Sequence, residues 1–389
     1  MSELRVAIDA RWLFFNRSGT GINRRTLRLA HHLPQVDPDV RVDMVYNFVR
    51  SRHRKAIEGF GAPGVRPRVI RIPRVQLEWL LVQRRLPAEM LLGPFDVWHG
   101  EFFFAPATIR AKSLVLVHDL YSVHVPESLP NNLCRYLQRH LKRVCAGASG
   151  IATGTAAVAD ELVDHLGVDR DRIHILYPGF DPPRPMEEHE SAVLDRLGLE
   201  SGGYIFFLGT LVRWKNLDGI LDAFEMIRRD ARRPLKLVLA GPRMDNGDVE
   251  MEKRLEEAAK SPDIVFPGFV AEEDLDTLYR SALCFLFPSH YEGFGIPVLE
   301  AMAREVPVVA SKAPALLEVT GGAALHADSR DPAEIASAVL RLADDEKLRG
   351  ELVEKGKERV RAFSWSKMAR DALDIYSRLE PRRRWRRGA

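Results

Sequence analysis

Leu283-Cys-Phe-Leu-Phe287 is an unbroken apolar run of strand length, and it leads within a few residues into His290-Tyr-Glu292-Gly-Phe-Gly-Ile-Pro297-Val-Leu-Glu300-Ala-Met302. A run apolar at every position suits a strand covered on both faces, as in a parallel sheet. Pro297 fits the first position of a following helix, where its missing N–H costs little. Gly293 to Ile296 are therefore read as a strand-to-helix turn. Such a turn directs free backbone donors and the positive end of the helix dipole above the sheet, an arrangement that favours a phosphate. Glu292 and Glu300 bracket the turn and repel phosphate, but they suit hydroxyls on its two sides, a sugar ring on one flank and a ribose on the other. The pattern fits a sugar diphosphate.

Working outward, the first half alternates short strand candidates with helical stretches: Leu4 to Asp9, Val40 to Tyr46, Val69 to Ile72, Val97 to His99, Ser113 to His118, Gly150 to Thr153 and Arg172 to Leu176. Pro178-Gly-Phe-Asp-Pro-Pro-Arg-Pro185 is dense in chain breakers and reads as a linker. The alternation then restarts with Tyr204 to Leu208, Leu235 to Ala240, Ile264 to Phe266, Leu283 to Phe287 and Val306 to Ala310. This pattern implies two α/β, doubly wound, parallel-sheet domains of Rossmann-like type facing a cleft, with ligands expected at the carboxyl ends of the strands. The expected boundaries are 1–182 for the first domain, 183–365 for the second, 366–380 for a last helix crossing back to the first, and 381–389 for a basic tail.

The bulk numbers agree with two ordinary cores. The chain has 389 residues, 46% hydrophobic and 29% charged, enough for two domains. No apolar run approaches the ~18 residues of a membrane span, and Met1-Ser-Glu-Leu-Arg-Val enters a strand without a signal-peptide pattern, so a cytoplasmic enzyme is expected. Three scattered cysteines, Cys134, Cys145 and Cys284, suit reduced core thiols rather than a disulfide framework or a zinc site. Net charge is +3, yet residues 1–180 carry 25 Lys and Arg against 17 Asp and Glu. Basic clusters at Arg50 to Lys55, Arg84-Arg85, Arg135 to Arg143 and Arg382 to Arg387 read either as solvated faces or as a contact for an anionic membrane surface or lipid-linked acceptor. A nucleic-acid partner is not expected, because aromatic interleaving and a recognised binding motif are absent.

Four further features carry chemistry. Ser18-Gly19-Thr-Gly21 opens a helical stretch after the first strand and offers amides to an anion. It is not a dinucleotide fingerprint, since the third glycine would fall at position 24, which is Arg. Gly209-Thr-Leu-Val-Arg213-Trp-Lys215-Asn216 sets two cations ahead of a helix, where they oppose the dipole unless an anion lies there. They suit a phosphate and the charge on a departing diphosphate. His118-Asp119 follows the apolar strand Leu114 to Val117, and His99 ends another; His118 is the functional candidate and His99 the structural one. The Asp pairs at 37/39, 169/171 and 274/276 read as solvated, with no metal site and no cofactor expected.

With these residues in hand, the chain resembles family 4 of the retaining glycosyltransferases, which have the GT-B fold. The likeness runs from Val6 to about Tyr376 and is most specific over Ser289 to Met302, with support from Asp96-Val-Trp-His99, Val117-His-Asp-Leu120, Tyr177-Pro-Gly-Phe-Asp181, Leu237-Val-Leu-Ala-Gly-Pro242 and Val265-Phe-Pro-Gly-Phe-Val270. The resemblance implies a metal-independent transfer of a hexose, mannose among the candidates, from a GDP- or UDP-sugar to a glycan or lipid-linked saccharide, with retention. It implies that Glu292 contacts the sugar hydroxyls, and that Phe294, Gly295 and Ile296 bring backbone to sugar and diphosphate. Glu300 would hold the ribose, Lys215 the phosphates, the main chain of Phe266 to Phe269 the base, and His118 the sugar near the reacting carbon, while Gly19 and Gly21 complete the phosphate site. Many members place an arginine directly after the strand-ending glycine or directly before the lysine; here those positions are Thr210 and Trp214, which leaves Arg213 as the candidate second cation. The alternatives are an NAD(P)-dependent oxidoreductase and a non-catalytic sugar-binding protein of the same fold.

Overall fold

Two all-parallel sheets organise the chain. The computed structural model describes residues 3–11, 13, 21–48, 62–101, 104–126, 131–184, 191–243 and 248–379. The first sheet holds β1 (Leu4–Asp9), β2 (Val40–Asn47), β3 (Val65–Ile70), β4 (Val97–Gly100), β5 (Lys112–Val117), β6 (Gly150–Thr153) and β7 (Ile173–Ile175), in the order β3-β2-β1-β4-β5-β6-β7. The second holds β8 (Tyr204–Leu208), β9 (Lys236–Ala240), β10 (Ile264–Gly268), β11 (Cys284–Phe287), β12 (Val308–Ser311) and β13 (Leu325–Ala327), in the order β10-β9-β8-β11-β12-β13. Both follow the doubly wound pattern, so each has a switch point where the strand order reverses, at β1/β4 in one sheet and β8/β11 in the other. The helices that matter for the sites are α1 (Gly21–Val36), α2 (Asn131–Gly147), α3 (Leu217–Asp230), α4 (Glu272–Arg280), α5 (Ile296–Ala303) and α6 (Trp365–Arg378).

The expected fold class is the observed one. Strand edges differ where the sequence is least strand-like. β3 begins at Val65, not Val69, and contains Arg66, Pro67 and Arg68. It is the outer strand of its sheet, and an edge position tolerates a proline that donates nothing to the ladder. β13 has only Leu325-His-Ala327 and carried no strand signal. α5 starts at Ile296, so Pro297 is its second residue.

The chain divides into two compact units. Unit 1 takes Met1–Leu120, Arg135–Gly179 and Phe363–Ala389; unit 2 takes Tyr121–Cys134 and Phe180–Ala362. In unit 1, α6 buries the stripe Trp365, Met368, Ala369, Ala372, Ile375 and Tyr376 and packs on α1. That spacing is one face of a helix, and Ser364 caps its start by accepting from the Lys367 N–H at 3.1 Å. In unit 2 the aromatic residues of β8 and β11 form the centre of the core: Phe206 meets Tyr279 edge-on at 5.0 Å and 86°, and Phe285 lies against both. Each such ring contributes about 1.5–3 kcal/mol by leaving water, which fixes the two strands whose ends carry the Lys215 and Glu292 loops.

The three cysteines are buried and form no disulfide, with burial pushing the Cys145 and Cys284 thiols up to about 12. Of the basic clusters, Arg50 to Lys55 and Arg382 to Arg387 lie outside the described residues. On α2 the residues Arg135, Arg139, Lys142 and Arg143 are exposed while Leu141, Val144 and Cys145 are buried, a basic solvent face over an apolar one. Among the described residues no helix is long and apolar enough to cross a membrane.

Candidate functional site

In unit 2 the switch point falls at the carboxyl ends of β8 and β11, and both candidate segments leave the sheet there. Lys215 Nζ and Glu292 Oε1 are 2.5 Å apart, and the ammonium also lies 5.1 Å from the centroid of Phe287, the last residue of β11. Both side chains are mostly shielded, 17% and 11% exposed. An ion pair in that setting is stronger than at a surface and costs more to leave half-made.

Backbone and side-chain links hold the two segments in register. The His290 N–H donates to the Trp214 carbonyl at 3.0 Å. Asn216, buried at 2% exposure with φ +61°, donates from Nδ2 to the carbonyls of Pro288 at 3.0 Å and Ser329 at 2.6 Å, while its Oδ1 accepts from the Gly219 N–H at 3.1 Å. One residue therefore caps α3, holds the loop after β8 and tethers the loop after β11. A left-handed asparagine at a cap is legible in sequence; the reach of its amide to positions 288 and 329 is not. Two ring stacks flank the pair, Tyr121 on Trp214 at 6.2 Å and His124 on Tyr291 at 4.6 Å.

Gly295 caps α5 with φ +101°, and a Cβ on it would lie 2.7 Å from Leu316 Cδ2. Glycine is required there twice over, by backbone and by space. The first amides of α5 thus follow Glu292 within a few residues, with Phe294 nearly buried before them. Glu300 lies a turn further on, 3% exposed, and accepts from the Tyr279 hydroxyl at 3.2 Å. Phe266 lies in β10 and Phe269 directly follows it, two strands from β8, roughly 10 Å at ordinary strand spacing. Phe266 carries the Arg243 guanidinium 5.0 Å above its ring, and Phe269 is 70% exposed.

Arg213 is engaged elsewhere. Its guanidinium is bidentate to Asp248, at 2.7 and 2.8 Å, and 3.3 Å from both Asp218 and Glu250. Hydrogen bonding to Asp248, reinforced by the charges of Asp248, Asp218 and Glu250, raises its pKa further. Three carboxylates surround it in this structure, as Glu292 meets Lys215.

In unit 1 the switch point gathers a buried polar cluster whose members look unrelated in sequence. His118, at the end of β5, donates from Nε2 to the Glu101 carbonyl at 3.0 Å. The Glu101 carboxylate is 3.3 Å from Arg25 Nη1, 3.3 Å from His99 Nε2 and 3.7 Å from His118 Nε2. Burial alone would raise the Glu101 carboxyl; Arg25, His99 and His118 outweigh it and hold it at about 2. Burial lowers His118 to about 4, against the pull of Glu101, so its ring is neutral at pH 7. Gly21 is the first residue of α1 and exposed, whereas Gly19 lies outside the described residues.

Known proteins share both the sequence pattern and the architecture. The model of "Glycosyltransferase Family 4" matches residues 19–184 and that of "Glycosyl transferases group 1" matches 196–359. O-antigen chain mannosyltransferase B of Escherichia coli is 31% identical over 287 residues, 73% of this chain and 74% of that one. The chain belongs to glycosyltransferase family 4. Mannosylfructose-phosphate synthase of Agrobacterium fabrum is 32% identical over 236 residues, 58% of this chain and 52% of its own length. Among solved structures, Anabaena HepE in complex with UDP and glucose covers 96% of this family 4 chain and 99% of its own at TM-score 0.73 and 16% identity. WaaG, a glycosyltransferase involved in lipopolysaccharide biosynthesis, covers 96% and 100% at TM-score 0.68 and 17% identity. At such identities these two establish the GT-B fold alone. Membership makes the protein a glycosyltransferase, and the oxidoreductase alternative falls with it.

Proposed function

We propose that this family 4 enzyme is a retaining, metal-independent hexosyltransferase that moves a hexose, mannose first among candidates, from GDP or UDP to a glycan or lipid-linked saccharide. The carrying observation is the Lys215–Glu292 pair at 2.5 Å, with Glu292 a few residues ahead of the glycine-opened start of α5. A diphosphate brought to those amides offers Lys215 a stronger anionic partner than Glu292. The ammonium turns to it, and Glu292 is released to accept hydrogen bonds from the hydroxyls of the transferred sugar. Lys215 and the α5 amides then meet the charge that grows on the leaving diphosphate.

Glu300, already fixed by Tyr279, accepts from the ribose, and the β10 end with Phe266 and Phe269 takes the base at about two strand spacings from the phosphates. His118 is neutral, with Nε2 donating to the Glu101 carbonyl, and in this reading its ring lies near the reacting carbon of the sugar. Arg213 would serve as a second phosphate cation on the same terms as Lys215, by exchanging a carboxylate partner for the diphosphate. The name of the Escherichia coli relative supports mannose. The exposed basic face of α2 supports an anionic membrane surface as a docking partner, checked by co-sedimentation with and without anionic lipid.

The test is a thermal-shift panel of GDP-, UDP- and ADP-sugars alongside NADH, followed by transfer assays with and without EDTA. Stabilisation by one nucleotide sugar is expected, with EDTA-insensitive transfer that Glu292→Ala abolishes without unfolding the protein. Full transfer by Glu292→Ala sinks the reading.

A further inference from the structure

His118 is not held by its own strand alone. Glu101, directly after β4, reaches it through its carbonyl at 3.0 Å and lies near it through its carboxylate at 3.7 Å. The carboxylate is itself fixed from two sides, by Arg25 of α1 at 3.3 Å and by His99 Nε2 at 3.3 Å. At 3.3 Å this contact is longer than an ordinary hydrogen bond, and among the described residues neither His99 Nε2 nor Glu101 Oε1 has a hydrogen-bond partner. On its far side, His99 Nδ1 meets the Tyr376 hydroxyl at 2.7 Å. Arg25, His99, Glu101 and Tyr376 are all at most 3% exposed.

The proton order follows from the acceptors. A carboxylate only accepts, so the His99 nitrogen facing it carries the proton; Nδ1 is then an acceptor, and the Tyr376 hydroxyl donates to it. The Glu101 carbonyl likewise requires the proton of His118 to sit on Nε2. Each group in the row fixes the tautomer or rotamer of the next, as a carboxylate behind a functional imidazole does in other sites. Burying an ionised carboxylate is costly even when paired, and a well-packed apolar replacement often serves stability as well or better. Fold stability is therefore a weak account of the cluster, and its position at the switch point behind His118 suggests another.

We propose that Glu101 is a positioning residue for His118, and that it is held in place through His99 by Tyr376 of the last helix. The inference rests on the reading that His118 faces the donor sugar. It makes a hydroxyl on α6, 277 residues from His99 in sequence, a determinant of turnover.

The test is a double-mutant cycle on the full-length enzyme with Tyr376→Phe and His118→Ala, combined with 15N spectra of the histidine side chains. Tyr376→Phe should lower kcat about 5-fold, since small misplacements of a positioned group cost rate steeply. In a His118→Ala background the same change should lower kcat by less than about 1.5-fold. The spectra should show the His118 proton on Nε2 in the parent and a mixture of tautomers in Tyr376→Phe. An equal loss in both backgrounds, or an unchanged kcat with unchanged His118 resonances, overturns the proposal. If His118→Ala keeps full kcat, the donor-contact reading fails instead, and the tautomer spectra still decide the positioning chain. Should Tyr376→Phe give no folded protein, Glu101→Gln is put through the same cycle with the same two expectations.

Discussion

Asn216→Ala tests whether one side chain holds the candidate site of unit 2 together. The substitution removes two hydrogen bonds to buried carbonyls, at Pro288 and Ser329, and the cap on the Gly219 N–H. Each lost bond costs about 1 kcal/mol and a lost cap about 1. Placing alanine at φ +61°, where asparagine is tolerated, adds about 1. The sum, discounted for partial relaxation, is about 3 kcal/mol. For a unit of this size that is a fall of roughly 6–12 °C in the melting transition. Asn216→Gly separates the contributions, because it relieves the backbone and keeps the loss of hydrogen bonds; it should recover about 1 kcal/mol, or roughly 2–4 °C. Scanning calorimetry of the full chain reads both. Donor KM should rise in parallel, because the loop carrying Lys215 loses its anchor to the loop carrying Glu292. An unchanged transition together with an unchanged KM refutes the claim that this tether sets the site.

Two further expectations are independent of it. Lys215→Met keeps the packing against Phe287 but removes the charge; loss of a charge-assisted hydrogen bond of about 1.5–3 kcal/mol should weaken nucleoside-diphosphate binding roughly 10- to 100-fold, measured by calorimetric titration. The His118 imidazole titrates near 4 in the folded chain against an ordinary 6.5, so between those values the unfolded chain binds more protons and stability falls as pH drops from 6.5 toward 4. His118→Asn should flatten that part of the pH profile of the melting temperature, and an unaltered slope would show that the acid sensitivity comes from elsewhere.

The fold class was legible because parallel strands buried on both faces leave unbroken apolar runs: Tyr204 to Leu208 and Leu283 to Phe287 were read to within a residue of β8 and β11. The Gly293 to Ile296 turn was legible for a related reason, since glycine and proline constrain backbone at the position they occupy. Where those signals thin out, as in the arginine- and proline-bearing edge strand β3 or the three residues of β13, boundaries moved or elements were missed.

The identities of Lys215, Glu292 and His118 as chemically apt residues, and the end of a parallel strand as their address, are consequences of local sequence, because side-chain chemistry and strand periodicity are written residue by residue. Tertiary structure alone decided what each charge meets. It paired Lys215 with Glu292, tied Arg213 to Asp248, Asp218 and Glu250, and set Glu101 behind His118 with Arg25, His99 and Tyr376 around it. These partners lie up to 277 residues apart in sequence. Coulomb and hydrogen-bond energies depend on distance and burial in three dimensions, and neither is encoded by the residue types until the chain has closed around them.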